Sequence, residues 1–443
     1  MKQIYIYIYL FLTLLFALPG CGPKSQLNPR KPTTITMWHN YGGDMQKTMD
    51  LLIDEFNATE GKEQGIIVNV VAISSSSELN DSLSMILKED PSAPKLPDIF
   101  TGYPKNALPF MEKEMILNLD QMFTKEELSV YVDSFLEEGR LTDGGLYVFP
   151  IAKSTEVLYL NKTLFDEFIQ ATGADPALLE SFEGISELSL LYHEWSGGKD
   201  FFTCDAWFHI AMTGMRQLGS DYFTPDGMPD MDNPAYQHIF ETLFPAFCQG
   251  GFAIFDGYSS DLSKTGDILC SIGSSAGILF YGDTITYDDG TTRQVDYDIL
   301  PYPTFQNGSK IALQRGGGFI VSKSTPAKEE AACRFLKWFT EPKQNMSFVS
   351  QTGYLPVTKQ AFEEELPAHI DSLDNENIHK MLSTVLTMYQ EYDFYTAPNL
   401  LSFDDFSSAY EEDYREFMGN LHSLSKTGEA CSPEDAYRRW IQN

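Results

Sequence analysis

"TITMWHNYGGDMQKTMDLLIDEFN", Thr34 to Asn57, carries three signals in one line. Thr34–Trp38 is a short β-branched run, Gly42-Gly43 breaks it, and Asp44–Asn57 then places Met45, Thr48, Met49, Leu52 and Phe56 at helical spacing. Strand, glycine turn and helix in that order form the building unit of an α/β fold. Outward from this stretch the unit repeats. Ile66–Ile73 reads as a buried strand, Asp98–Thr101 as another, and Asn106–Glu114 as the start of a helix. Strands alternating with helices predict a largely parallel sheet. The pattern resumes after Tyr147–Ile151, through Val157–Leu160, a helix at Thr163–Ala171, and helical stretches at Ala206–Leu218 and Pro234–Cys248. A second α/β lobe is therefore expected. Late in the chain Gly316–Val321 reads as a strand. Thr325-Pro326 opens a helix with Ala332, Phe335, Leu336 and Phe339 on one face.

The N-terminus has a different character. Ile4–Leu18 follows Lys2 and is free of charge, yet it is shorter than the ~20 residues of a transmembrane helix. A signal peptide fits it better. Leu18-Pro19-Gly20-Cys21 resembles the lipobox of bacterial lipoproteins, which implies an acylated Cys21 as first mature residue. Residues 1–20 are then the signal peptide and the polar stretch 21–33 is a lipid-anchored tether.

The remaining 423 residues (443 − 20) suffice for two or three domains, and 43% hydrophobic with 13% aromatic residues marks a globular chain. A net charge of −32, from 63 acidic and 31 basic residues, argues against a nucleic-acid partner, whose phosphates would be repelled. Beyond Cys21 the cysteines Cys204, Cys248, Cys270, Cys333 and Cys431 are odd in number and lack C-x-x-C spacing, so buried free thiols are expected. The seven histidines form no H-E-x-x-H or i,i+4 pair, and no Walker loop, G-x-S-x-G or G-x-G-x-x-G precedes a helix. No metal, cofactor or enzyme activity is predicted.

Five phrases together carry a resemblance: "ITMWHNYGGDMQKTMDLLIDEFN", "FPIAKSTEVLYLNKTLFDEF", "YDILPYP", "GGGFIVSKSTPAKEEAACRFLKWFTEPKQ" and "TGYLPVTKQAF". In that order they resemble the family 1 solute-binding proteins of ABC importers, nearest to the glycerol-3-phosphate and sugar branch. The resemblance implies a two-lobe periplasmic-binding-protein fold of class II type, with the ligand cleft between lobes, acting as a monomer beside permease subunits in the periplasm or at the cell surface. It places crossings near Ile151–Lys153, Asp298–Pro301 and Glu341–Lys343, so that 34–150 with 299–341 form lobe 1 and 151–298 with 342–443 form lobe 2.

Candidate ligand contacts follow from the same phrases. Trp38, His39 and Tyr41 lie at the first strand–helix junction, where aromatics can meet a sugar face, although Trp38 reads equally well as core. Tyr103 ends the strand at "DIFTGY". The resemblance adds Ser154 and Thr155, Ser274 and Ser275, the Arg315-Gly316-Gly317 turn, Tyr354, and Trp207 as an aromatic platform. Two departures bear on the cargo. Pro104 stands where the glycerol-phosphate branch has an acid, and Asn399 stands where it has a base. The first expectation is therefore a neutral sugar or oligosaccharide, with glycerol-3-phosphate or its diesters second. A lipid-anchored glycan hydrolase using paired acids such as Asp404 and Asp405, or Glu411 and Glu412, is a third reading, weakened because adjacent acids cannot straddle one bond. A sensor or adhesin on the same fold is a fourth.

Overall fold

The computed structural model describes residues 25–442 apart from 74, 374, 401, 429 and 430, so Cys21 and the signal segment lie outside the described residues. The quoted stretch forms strand β1 (Thr33–His39), followed by helix α1 (Gly43–Ala58). Further along come β2 (Ile66–Ala72), helix α2 (Ser76–Leu87), β3 (Ile99–Gly102), helix α3 (Pro104–Glu112) and β4 (Val148–Pro150). The chain then builds β5 (Ser154–Asn161), β6 (Phe202–Cys204), helices α4 (Trp207–Gln217), α5 (Pro234–Gln249) and α6 (Ser259–Thr265), and β7 (Cys270–Ser274). After these stand β8 (Tyr297–Leu300), β9 (Ile311–Arg315), β10 (Gly318–Val321), helices α7 (Pro326–Phe339), α8 (Pro342–Thr352) and α9 (Glu376–Glu391), β11 (Asp393–Thr396) and α10 (Phe403–Lys426).

Two sheets organise these elements. The first has the order β2-β1-β3-β10-β4, the second β11-β9-β5-β7-β6 with β8 also paired to β5. Neither is largely parallel. β1 runs parallel to β2 and β3, but β10 is antiparallel to β3 and β4, and β5 is antiparallel to β7, β8 and β9. The reason is topological. Strands native to a lobe run toward the junction between lobes, whereas β5 and β10 enter their sheets from that junction and so run away from it. The ends of β1, β3, β4, β6, β7 and β9 and the starts of β5 and β10 consequently meet at one place. In open α/β sheets that edge is where ligands bind.

The second sheet keeps more of the chain than the sequence suggested. β8 and β9 pair with β5, and the chain regains the first sheet at Gly318, not near Asp298–Pro301. The strands at both ends of the 299–315 segment therefore belong to the second sheet. Past Pro342, α8 still packs on α1 of the first lobe, and Val132 N–H donates to Val357 O while Lys359 N–H donates to Val130 O, so the last return comes after Thr358 rather than at Glu341–Lys343. A proline-rich strand exit such as "YDILPYP" looks the same whether the chain leaves the lobe or stays.

Alternation along β1 sets the two faces of the first sheet. Ile35 and Met37 are fully buried with Met49, Ile53 and Phe56 of α1, whereas Trp38 points the opposite way and packs beside Leu79, Leu83, Phe100 and Phe110, under α2 and α3. Cys204, Cys248, Cys270 and Cys333 are buried free thiols and Cys431 is a partly exposed one.

Candidate ligand cleft

Where the strand ends converge, a cavity of about 1110 Å³ opens between the lobes. The first lobe contributes Asn40–Met45 and Thr101–Tyr103. The second contributes Ser154, Asp205, Tyr258–Asp261 and Ser274, while the crossing turn supplies Arg315, Gly316 and Gly317. Glycine is required at that turn. Gly316 has φ +96°, and a Cβ there would stand 2.9 Å from the Ala152 carbonyl oxygen, while one on Gly317 would meet the Gly102 oxygen at 2.8 Å. The close approach of two crossing segments thus leaves main chain, without side chains, facing the cavity.

Of the residues expected in the site, Tyr41, Tyr103, Ser154, Ser274, Arg315, Gly316, Gly317 and Tyr354 are brought together on the cavity wall. The other five stand behind it. Trp38 belongs to the α2/α3 layer, for the alternation reason given above. Thr155 is the next residue after Ser154 on a strand, so it points away, fully buried, and its hydroxyl donates to Leu313 O at 2.9 Å. Ser275 is buried too, its Oγ accepting from Thr155 N–H at 3.3 Å. Trp207 is core: it starts α4 with 3% exposure and packs on Phe247, Phe252 and Phe202. His39 is fully buried, and its Nδ1 accepts the Tyr41 N–H at 3.2 Å, which holds the turn carrying Tyr41 into the wall.

That bond gives His39 a pH signature. Burial lowers its pKa below 6.5, partly opposed by Asp50, so the unfolded chain takes up the proton first as pH falls. The stability tied to neutral His39 is complete above about pH 6.5. It is lost progressively below that value, until the folded protein also protonates. Thermal unfolding between pH 7.5 and 5 should therefore show a steeper fall for the wild type than for His39→Gln, whose amide oxygen can still accept from Tyr41. Equal slopes would show that His39 does not contribute.

Several wall residues escaped the sequence reading. Tyr258 is 73% exposed and Phe280 55%, so with the expected Tyr103, 40% exposed, three of the large exposed aromatics face this cleft, from both lobes. Tyr159 and Tyr281 stack at 3.9 Å between ring centroids beneath them. The visible signal for Tyr258 was an aromatic directly before the helix start "SSDLSK". Loop aromatics have no periodicity to flag them.

The basic side chains of the wall are paired. Among the described residues its three basic side chains are Lys105, Lys264 and Arg315. Lys105 bonds Asp404 across the cleft, Lys264 pairs with Asp261 at 3.0 Å, and Arg315 Nη1 donates to Glu156 Oε1 at 3.2 Å. Glu156 is buried and also meets His209 Nδ1 at 2.7 Å. Burial pushes its carboxyl up, but His209 and Arg315 outweigh this and hold it below the usual range. Of the acids weighed for hydrolysis, Asp404 thus serves an ion pair. Glu411 accepts Phe208 N–H at the start of α4 and pairs with Arg415.

A family model of bacterial extracellular solute-binding proteins matches residues 52–372. This chain belongs to that family. Its relatives include the sn-glycerol-3-phosphate-binding periplasmic protein UgpB of Yersinia pestis, 23% identical over 368 residues and covering 76% of each chain. Among solved structures, an ABC substrate-binding protein of Listeria monocytogenes in complex with cycloalternan superimposes with a TM-score of 0.70 at 17% identity, covering 93% of this chain and 98% of the other. UgpB of Mycobacterium tuberculosis in complex with glycerophosphocholine gives 0.68 at 18% identity, covering 93% and 97%. These similarities establish the two-lobe solute-binding fold for the present chain.

Proposed function

We propose that this solute-binding protein captures a carbohydrate in the inter-lobe cleft and delivers it to an ABC importer, without catalysing a reaction. The observation that carries the reading is the wall itself. Exposed aromatics stand on both lobes, and every base among the described wall residues is already matched to a carboxylate. Aromatic faces suit the apolar face of a sugar ring, and the polar groups between them suit its hydroxyls. A phosphate ester would have to draw a cation away from an existing partner, which removes most of the gain of a charge-assisted bond. The cavity of about 1110 Å³ exceeds the ~300–1,000 Å³ of ordinary small-ligand sites, which favours an oligosaccharide over a monosaccharide.

Two features keep glycerol phosphate and its diesters as the second reading: Arg315 in the wall and the UgpB relatives. Calorimetry against a panel of oligosaccharides, glycerol-3-phosphate and glycerophosphocholine separates the two. Saccharide binding should be accompanied by a fall in the radius of gyration, because a ligand touching both lobes favours the closed state. Tight binding of a phosphate ester with no response to any saccharide would overturn the first reading.

Placement at a membrane rests on Cys21. Acylation there would hold the protein near its permease after the signal is cleaved. Cys21→Ser should leave ligand binding unchanged and move the protein from the membrane to the soluble fraction. A processed mutant that stays in the membrane pellet would remove the lipoprotein reading.

A further inference from the structure

We propose that the cargo carries a basic nitrogen, as in an amino-bearing oligosaccharide, and that Asp205 is the residue that selects it. The inference rests on the carbohydrate reading above and adds a charge to it. Among the described residues the wall of the cleft contains four carboxylates, Asp44, Asp205, Asp261 and Asp404. Asp44 pairs with Lys47 at 2.8 Å, Asp261 with Lys264, and Asp404 with Lys105. Arg315, the remaining base, is taken by Glu156. Asp205 is left over: among the described residues no basic side chain lies within ion-pair distance of it. Arg315 acts on Asp205 only at longer range, so among the described residues the cleft carries one carboxylate without a direct ionic partner, inside a protein whose net charge of −32 adds to the local field.

The geometry presents that charge to a ligand. Asp205 stands directly after β6, at the edge where the strands end. Its Oδ1 is fixed by Ser259, accepting the N–H at 3.0 Å and the hydroxyl at 2.7 Å. Oδ2 makes no hydrogen bond among the described residues. It lies over Gly273, where a Cβ would come within 2.8 Å of it and 3.6 Å from the Tyr159 ring. Because Gly273 has no side chain, Oδ2 can lie close against it, and Asp205 lines the cavity together with Tyr159 and Tyr281, whose rings stack. A carboxylate fixed on one oxygen and without a hydrogen bond on the other, next to aromatic rings, is a receptor for an ammonium group. The exposed Tyr258, one residue before Ser259, adds a further ring to the cavity wall. A hydroxyl could also donate to Oδ2, but it would bring no countercharge.

The experiment compares trisaccharides of α-1,4-glucose, β-1,4-glucose, β-1,4-glucosamine and β-1,4-N-acetylglucosamine by calorimetry at pH 6.5, in low and in 0.5 M salt. The glucosamine trisaccharide should bind at least tenfold more tightly than its hydroxyl and acetamido counterparts. That advantage should shrink in high salt, since screening acts on the charged pair alone. Asp205→Asn, which can still accept from Ser259, should bring the β-1,4 ligands within about threefold of one another. Equal affinity of the amino and hydroxyl trisaccharides for the wild type overturns the inference without any variant, and so does an amine preference that survives in Asp205→Asn. A neutral saccharide binding tightly with no gain from the amine leaves the carbohydrate reading standing and removes this one. Binding of none of the four counts against both.

Discussion

Trp207→Ala will destabilise the protein by about 3–5 kcal/mol, the cost of emptying a buried aromatic site, and will do so without acting through the ligand. The indole is 3% exposed at the first turn of α4. Its ring centroid lies 4.5 Å from that of Phe247, 5.7 Å from Phe252, 5.9 Å from Phe202 and 6.2 Å from Tyr414. Those four rings come from a strand, a loop and two helices, so the cavity left behind would loosen the second lobe at its centre. For a lobe of ~150–250 residues the midpoint should fall by roughly 2–4 °C per kcal/mol. A platform role, which the resemblance implied, demands the reverse: a small change in melting temperature and a large loss of affinity. Thermal unfolding together with saccharide calorimetry on the folded variant distinguishes them. A midpoint within 2 °C of wild type would overturn the assignment to the core.

The misplacement of Trp207 shows what a sequence can convey about such a site. An aromatic that opens a helix after a strand has the same neighbours in sequence whether it turns into the lobe or out to the cleft. Only the packing of α5 and α10 against α4 decides, and α10 lies far along the chain. The same limit applies to "KST" and "GSSA". Alternation sends Ser154 to the wall and Thr155 inward, but the parity depends on where β5 begins, and that is fixed by its pairing with Arg315. By contrast, the strand–glycine–helix of Thr34–Asn57 was legible because its signals are local: β-branching, a glycine break and a helical apolar stripe. The glycine turn at Gly316-Gly317 and Tyr354 was legible through whole phrases. Asp205 and Phe280 were not, since Asp205 lies just past a strand and Phe280 ends a short 3-10 turn, and Asp205 acquires its meaning from Ser259, which lies at a distance.

Lys153→Met will have the other large effect, at the hinge. Lys153 lies in the first crossing segment with its ammonium buried, 2.7 Å from Glu138 Oε2 of the first lobe, and it also donates to the Gly316 carbonyl of the glycine turn. Glu138 in turn accepts from Gln314 of β9, whose amide also reaches toward Ser134 O and, in the second lobe, Thr396 Oγ1. One buried ion pair therefore ties two crossings and both lobes together. Removing the cation leaves Glu138 buried with a single amide donor, a situation that costs about 3–5 kcal/mol. The double variant Glu138→Gln/Lys153→Met buries no charge and should recover most of that loss, because the desolvation of two ions is then no longer required. The main-chain bonds between Lys153 and Leu355, at 3.1 and 2.6 Å, remain in both variants, so the hinge is not cut. What changes is the balance between its open and closed positions. If the pair favours closure, saccharide affinity in the double variant will fall by the drop in the closed fraction, with the wall residues untouched. Urea unfolding and calorimetry of wild type, single and double variants test this as a cycle. A single variant that loses less than about 1 kcal/mol, the range of a solvated surface pair, would mean that water reaches Lys153 and that the lobes are held at the hinge by their main chain alone.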